Sequence, residues 1–441
     1  MNLDNIRKAK VGSIELANAS IRMKNNALKL IADALSKNKK KILNANKKDI
    51  YLAKGLSKAL LKRLELDSVK IDEMVKGIKK LIKLDNPVGN VLSAVEIDKG
   101  LELYKVSCPI GVIGVIFESR PDALVQISSL CVKSGNAVIL KGGSEATNSN
   151  RVLFNLIRSA IAKAGLPEAV VELMQTREDV KAILKLNDYI DLLVPRGSNK
   201  FVKYIMDNTK IPVLGHSEGV CHVYVDKDAK LGTAVNVCFD AKCQYAAVCN
   251  AMETLLVHKS IAKRFLPVII RKYSETNVEM RLDDESRLIL EKSVNKKIIN
   301  NYKNKKTLKK ATGKDWKTEY NDMIVSIKVV SDLDEAIDHI NQYGSGHTDA
   351  IVTENKSVAN KFMDVVDSGS VMWNCSTRFS DGFRYGFGAE VGISTHKIHA
   401  RGPVGLEGLT IYKYKVIGTG HVVSDYSGRK AKKFIHRKIK W

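Results

Sequence analysis

The sequence predicts an α/β protein built on parallel sheets, and three observations carry that reading. Apolar runs of strand length alternate with helix-like stretches from about residue 111 onward. The runs are short and carry glycines, as in Ile110 to Phe117, so they read as buried strands. At 441 residues the chain is too long for one ordinary core, so two or more packed units are expected.

In chain order, residues 1 to about 85 read as helices, with Leu28, Ile31, Ala32 and Leu35 on one face and Lys39 to Lys41 at a solvated end. Asp85-Asn86-Pro87 and Gly89 punctuate this region. Alternating apolar residues in Val95 to Ile97 and Leu101 to Val106 flank Asp98-Lys99-Gly100, which predicts a β-hairpin. An isolated hairpin is marginal, so this one needs a partner, a second subunit being one candidate. Strands are expected at Val112 to Phe117, Ala137 to Leu140, Val170 to Leu173, Ile190 to Val194 and Cys221 to Val225, with helices at Asn150 to Ala164 and Arg177 to Lys185. A second alternating region starts near residue 230, with strands at Glu253 to Val257, Val325 to Val330 and Ala350 to Val352. Its helices are expected at Ile261 to Tyr273 and Asp332 to Asn341. Beyond Arg401 the chain is strand-like and ends in a basic tail, Arg429 to Lys440, read as a solvated terminus.

Composition narrows the function classes. Hydrophobic residues make up 44% and charged residues 27%, which disfavours disordered and fibrous classes. No stretch reaches the roughly 18 apolar residues of a membrane helix, and Met1-Asn2-Leu3-Asp4 opens no signal pattern, so a cytoplasmic address is expected. Seven cysteines without secretory signals read as free thiols rather than a disulfide framework. The net charge of +24 comes largely from lysines scattered over helices, so no nucleic-acid partner is expected; the positive field suits anionic substrates.

Several segments break from apolar strands into chemistry. Cys249 lies between a helix and the strand beginning near Glu253, and a thiolate there is a nucleophile, although a cysteine is as readily a small buried hydrophobe. Cys238, Cys243 and Cys249 lack the paired short spacings of a zinc site, so no metal is expected. Lys141-Gly142-Gly143-Ser144-Glu145 follows a strand where α/β sheets hold ligands, but equally reads as a simple turn. Pro195-Arg196-Gly197-Ser198 precedes a helix that Ser198 caps or whose free N–H groups meet a pyrophosphate. Arg120, Arg378 and Arg401 sit in polar loops suited to bidentate anion binding or to surface ion pairs. No GxGxxG fingerprint occurs, which disfavours a standard Rossmann dehydrogenase.

From about residue 15 to 415 the chain resembles the γ-glutamyl phosphate reductase family of the aldehyde dehydrogenase superfamily. The resemblance rests on PIGVIGVIFESRPD (109–122), NAVILKGGSEA (136–146), VPRGS (194–198), GVCHVYVD (219–226) and VCNAMETLLVH (248–258). It continues through INQYGSGHTDAIVT (340–353), STRFSDG (376–382) and HARGPVGLEGLT (399–410). It implies an NADPH-binding domain (1–90 and 109–228), a catalytic domain (229–400) meeting it at a cleft, and a β-hairpin oligomerisation flap (91–108 and 401–441), hence a homo-oligomer. It makes Cys249 the nucleophile, puts Lys141, Ser144 and Glu145 on the adenosine side of NADPH, and sets Gly197 and Ser198 by its pyrophosphate. Glu319 would hold the nicotinamide ribose, and Arg120, Arg378 and Arg401 the acidic substrate.

The implied reaction converts L-glutamyl 5-phosphate to glutamate 5-semialdehyde through a cysteine thioester, in proline biosynthesis. The Cys249 N–H and Ser119 are candidate donors to the thioester oxygen. Glu218, near where relatives keep a water-activating base, is not expected to serve as one. The stretches Asp240 to Tyr245 and Gly382 to Thr395 are similar to the reductase half of the bifunctional eukaryotic enzyme. Since the chain has no room for a fused kinase, a separate glutamate kinase is the expected supplier of substrate. The competing readings are another acylating dehydrogenase, for example CoA-dependent, and a non-catalytic basic binding protein.

Overall fold

The computed structural model describes residues 3–53, 55–56, 58–174, 178–216, 218–293 and 307–440. The chain divides into two compact units, one of Met1–Leu214, Phe387–Gly392 and Val404–Trp441, the other of Gly215–Gly386 and Ile393–Pro403.

Helices open the first unit as the apolar periodicity predicts. In the helix Ile21–Lys37, the Ser20 side chain caps the start by accepting from the Met23 N–H, and Leu28, Ile31, Ala32 and Leu35 are all buried. Lys39 to Lys41 do not end this helix; they open the next one, Lys39–Leu52. The parallel sheet of this unit runs in the order Val171–Met174, Ala137–Gly142, Val112–Phe117, Leu192–Arg196. Every residue of Val112–Phe117 and Ala137–Gly142 is buried, as expected of strands covered on both faces. The helices Pro121–Ser134 and Thr147–Lys163 connect strands; the first starts on a proline and stops at Gly135, whose φ of 80° few other residues adopt. The expected helix from Arg177 is described over Glu178–Ile183, and Arg177 itself lies outside the described residues.

The predicted hairpin is present as Val91–Asp98 and Leu101–Pro109. It forms the middle of a four-stranded antiparallel sheet, flanked by Thr410–Ile417 and Arg437–Lys438. The basic tail is therefore no plain solvated terminus. Arg437 pairs with Glu96 in the strand register, and its Nε donates to that carboxylate at 2.9 Å. Upstream, Tyr426 stacks on Phe434 at 4.6 Å and donates its hydroxyl proton to Asp98 at 2.7 Å. The edge of the hairpin needed backbone partners, and the tail supplies them.

The second unit holds a seven-stranded sheet in the order Leu308–Lys310, Glu279–Leu282, Ile324–Val330, Met252–His258, Cys221–Val225, Thr348–Val352, Ser370–Trp373. All its pairings are parallel. Its core packs Phe265, Leu266, Ile269 and Ile270 of the helix Lys259–Glu275 against Leu255, Val257, Met280 and Ile327. The strand Cys221–Val225, grouped with the cofactor unit by the expected boundary at 228, is hydrogen-bonded between Met252–His258 and Thr348–Val352 instead. The divide falls at Leu214/Gly215. An apolar run announces a strand but not its sheet, because pairing partners lie far away in sequence. Among the described residues no helix is long and apolar enough to cross a membrane.

Candidate functional site

Cys249 occupies the turn between the helix Leu231–Cys243 and the strand Met252–His258, and is partly buried. The turn is fixed from several sides. A side-chain carbon at Gly219 would stand 2.2 Å from the Cys249 carbonyl oxygen and 2.6 Å from its Cα, so only glycine lets the two backbones approach. The Cys221 thiol donates to the Cys249 carbonyl at 3.1 Å, and the Asn250 amide donates to the Ser380 carbonyl at 2.7 Å. A thiol on a turn held this way spends little entropy in keeping one geometry.

The other cysteines do not compete for the role. Burial pushes the thiols of Cys108, Cys131, Cys221, Cys238, Cys243 and Cys375 above their ordinary value, which keeps them protonated and inert. The Cys243 sulfur also lies 3.8 Å from the Thr276 hydroxyl.

Tertiary structure brings two imidazoles to the thiol. Ligand-capable atoms of His216, Cys249 and His347 all lie within 4.8 Å of one another. His347 is fully buried, with Nδ1 at 2.9 Å from the Thr348 hydroxyl and 3.8 Å from the Cys221 sulfur. Burial, and then the neighbouring His216, pushes His347 well below the usual histidine value, so it is neutral. His216 meets it edge to face at 4.9 Å and holds the Ile393 carbonyl through Nδ1 at 3.0 Å.

Arg378 is the buried cation of this centre. It lies in the turn Thr377–Phe379, donates from Nε to Gln244 Oε1 at 3.0 Å, and its carbonyl accepts from Arg384 at 2.8 Å. Burial and the charge of Arg384 lower its pKa, while Cys249, Asp240 and Asp381 oppose the fall. Arg401 differs: it donates to the Asp367 carboxylate at 2.7 Å, the Asp367 carbonyl at 3.0 Å and the Thr395 carbonyl at 3.3 Å. That is the geometry of a loop clamp. Glu218 is exposed.

Beneath the thiol turn is a fully buried ion pair, Lys242 Nζ to Glu253 Oε2 at 2.6 Å. Burial outweighs the attraction of Lys242 and pushes Glu253 up to about 7. Its other oxygen accepts from the Asn321 N–H at 3.3 Å, and Glu319 adds a like charge. The pair thus ties both flanks of the Cys249 turn to the segment carrying Glu319.

In the first unit, the candidate cofactor residues stand at the carboxyl ends of Ala137–Gly142 and Leu192–Arg196, the two parallel strands that flank Val112–Phe117. Lys141 is buried and donates to the Gly142 carbonyl at 2.5 Å. Ser144 and Glu145 form a short turn ahead of the helix Thr147–Lys163. Glu145 accepts both donors of Ser119, the N–H at 2.6 Å and the hydroxyl at 2.7 Å, and Ser119 adopts a left-handed φ of 42° to present them. Ser198 sits at the start of the helix Asn199–Asp207 without capping it through its side chain; its N–H goes to the Glu118 carboxylate at 3.1 Å. A side-chain carbon on Gly197 would stand 2.7 Å from the same carboxylate. Arg120 is 3.5 Å from Asp122. A buried ammonium, a hydroxyl and a helix N-terminus that already holds a negative oxygen fit a phosphorylated dinucleotide.

Sequence reading singled out Cys249 and Arg378, both placed in the second unit, but missed His216, His347 and the buried Lys242–Glu253 pair. Only Lys242 left a local trace, as a cation in a helix of otherwise apolar character.

The aldehyde dehydrogenase family model matches residues 3–322 and 313–389. A γ-glutamyl phosphate reductase from Methanococcoides burtonii is 56% identical over 441 residues, spanning 98% of this chain and 96% of its own. The crystal structure of γ-glutamyl phosphate reductase from Thermotoga maritima matches with a TM-score of 0.90 at 43% identity, covering 95% of this chain and 99% of that one. A glyceraldehyde-3-phosphate dehydrogenase from Methanocaldococcus jannaschii, solved in complex with NADP, shares the fold at a TM-score of 0.63 and 18% identity, covering 94% of both chains.

Proposed function

Because the chain belongs to the γ-glutamyl phosphate reductases of the aldehyde dehydrogenase family, an oxidoreductase lineage, we propose that it reduces L-glutamyl 5-phosphate to L-glutamate 5-semialdehyde with release of phosphate. This is a step of proline biosynthesis, and it requires a kinase acting on glutamate to supply the acyl phosphate. The observation that carries the reading is the Cys249 turn, held against Gly219 with His216 and His347 beside its sulfur.

Cys249 acts as the nucleophile. Its thiolate attacks the γ-carbonyl and phosphate departs with the bonding electrons, leaving a thioester. NADPH, when bound, supplies the hydride that reduces the thioester. The resulting thiohemiacetal oxyanion collapses, the C–S bond breaks and the thiolate returns. Arg378 binds an anionic group of the substrate, carboxylate or phosphate, in a site where burial strengthens the interaction. The backbone N–H of Cys249 stabilises the oxyanion. Ser119 joins it only by exchanging Glu145 for the reacting oxygen, since Glu145 now takes both its donors. Lys141, Ser144 and Glu145 hold the adenosine side of NADPH, Gly197 and Ser198 its pyrophosphate, and Glu319 its nicotinamide ribose. Arg120 and Arg401, held by Asp122 and Asp367, shape the substrate loops. Exposed Glu218 activates no water, which protects the thioester from hydrolysis. Tyr412, Tyr414, Val416 and Ile417 lie exposed on the strand Thr410–Ile417, which supports assembly of a homo-oligomer through the flap.

The reverse reaction tests this. Glutamate semialdehyde, phosphate and NADP⁺ are expected to yield NADPH only when phosphate is present, and Cys249→Ala to lower the rate at least about 10⁴-fold. Wild-type protein that binds NADPH yet shows no phosphate dependence would overturn the acyl-phosphate assignment.

A further inference from the structure

Zinc and its congeners bind proteins through thiolate sulfur and neutral imidazole nitrogen, at about 2.3 and 2.0 Å respectively. In a tetrahedral site those lengths set the ligand atoms roughly 3.3–3.5 Å apart. His216, Cys249 and His347 present one sulfur and two imidazoles, with ligand atoms already within 4.8 Å of one another. The remaining gap is at most about 1.5 Å, the scale of a side-chain rotation. Two further observations favour a ligand here. The Nε2 of His347 is buried and has no hydrogen-bond partner among the described residues, although such atoms are normally satisfied. The Nδ1 atom of the same ring is oriented by the Thr348 hydroxyl at 2.9 Å, the outer-shell support that metal-binding histidines use. No local spacing announces this set. Its members come from three distant segments, whereas the Cys243 sulfur faces the Thr276 hydroxyl.

We propose that His216, Cys249 and His347 form a site for a thiophilic divalent cation of the Zn²⁺ class, which reversibly caps the nucleophile. The step is a ligand exchange: the Cys249 S–H bond breaks, the proton leaves to solvent, and the sulfur pair bonds to the cation. No oxidation occurs. A fourth position is left for water or phosphate. Capping withdraws the thiolate from acyl transfer and shields it from oxidation, and removal of the cation restores it.

The test reads binding directly, so it does not depend on the acyl-phosphate assignment. Co²⁺ is titrated into the full chain and its spectrum followed, with Zn²⁺ then added in competition. The expected result is a sulfur-to-cobalt charge-transfer band with the intense visible bands of tetrahedral Co²⁺, displaced by one equivalent of Zn²⁺. Cys249→Ala should abolish the charge-transfer band, and His347→Ala and His216→Ala should each weaken binding by at least about 100-fold. Having the half-buried His216 as a second variant guards against misfolding at His347. No charge-transfer band in wild type, or one that survives Cys249→Ala, overturns the proposal; so does undiminished affinity in a folded histidine variant.

Discussion

The Cys249 turn and the strand-end loops of the first unit solve opposite problems. Around Cys249 the backbone is held by close packing and internal hydrogen bonds: the bare Cα of Gly219, the Cys221 thiol and the Asn250 amide. In the strand-end loops the donors of Ser119 and Ser198 go to the protein's own carboxylates, Glu145 and Glu118, on flexible side chains. A nucleophile gains from fixed geometry, because misplacement of about 1 Å costs rate steeply. A cofactor that must enter and leave gains from groups that exchange one anion for another at small net cost. The difference teaches that, on the proposed assignments, rigidity in this chain is concentrated where a bond would be made, and exchangeable polarity where a ligand would be held.

The sharpest way to break this comparison is at the arginines. Arg378→Ala removes a buried charged donor and is expected to lower kcat/KM for the acyl phosphate by about 100-fold. Arg401→Ala should lower it by less than about 10-fold, since that guanidinium is committed to Asp367 and Thr395. Steady-state kinetics on both variants decide it, and equal losses would mean that Arg401 leaves its clamp to bind substrate.

A smaller effect is expected at the exchangeable carboxylates. Glu118→Gln weakens the anion that occupies the Ser198 N–H and should tighten NADPH by roughly 3-fold, as read by fluorescence titration. Weaker binding would show Glu118 to be part of the cofactor site and not a stand-in for it.

The smallest expected effect concerns the brace under the thiol. Folded Glu253 titrates at about 7 because burial disfavours its charge, whereas its unperturbed value is 4.5. The folded state therefore binds the proton more tightly than the unfolded state between those values, and stability falls as pH rises through that window. Wild type should lose stability relative to Glu253→Gln between pH 5 and 8, by about 1–3 kcal/mol in urea unfolding. A difference independent of pH would mean that Lys242 keeps Glu253 ionised throughout.

Sequence by itself determined the elements and much of the chemistry. The strand Val112–Phe117 was legible to the residue, because a continuous apolar run between glycine and a polar loop has few other readings. The helix after Asp332 was legible for the same local reason: an acidic side chain caps it, accepting from the Glu335 N–H. Cys249 and Arg378 were marked as candidates by their loops, which left a buried hydrophobe and a surface ion pair equally open, and their roles rested on the family resemblance. Only the tertiary structure decided that Cys221–Val225 joins the second unit's sheet, that the basic tail pairs with the hairpin at Glu96, and that His216 and His347 close on the thiol. Each of these is a pairing between distant segments. Apolar periodicity reports which face of an element is buried, but the partner across that face is fixed by strand order and by the burial it completes. The Lys242–Glu253 pair belongs to the same class: two charges that look solvated in a linear reading are stable in the interior only because folding sets them 2.6 Å apart.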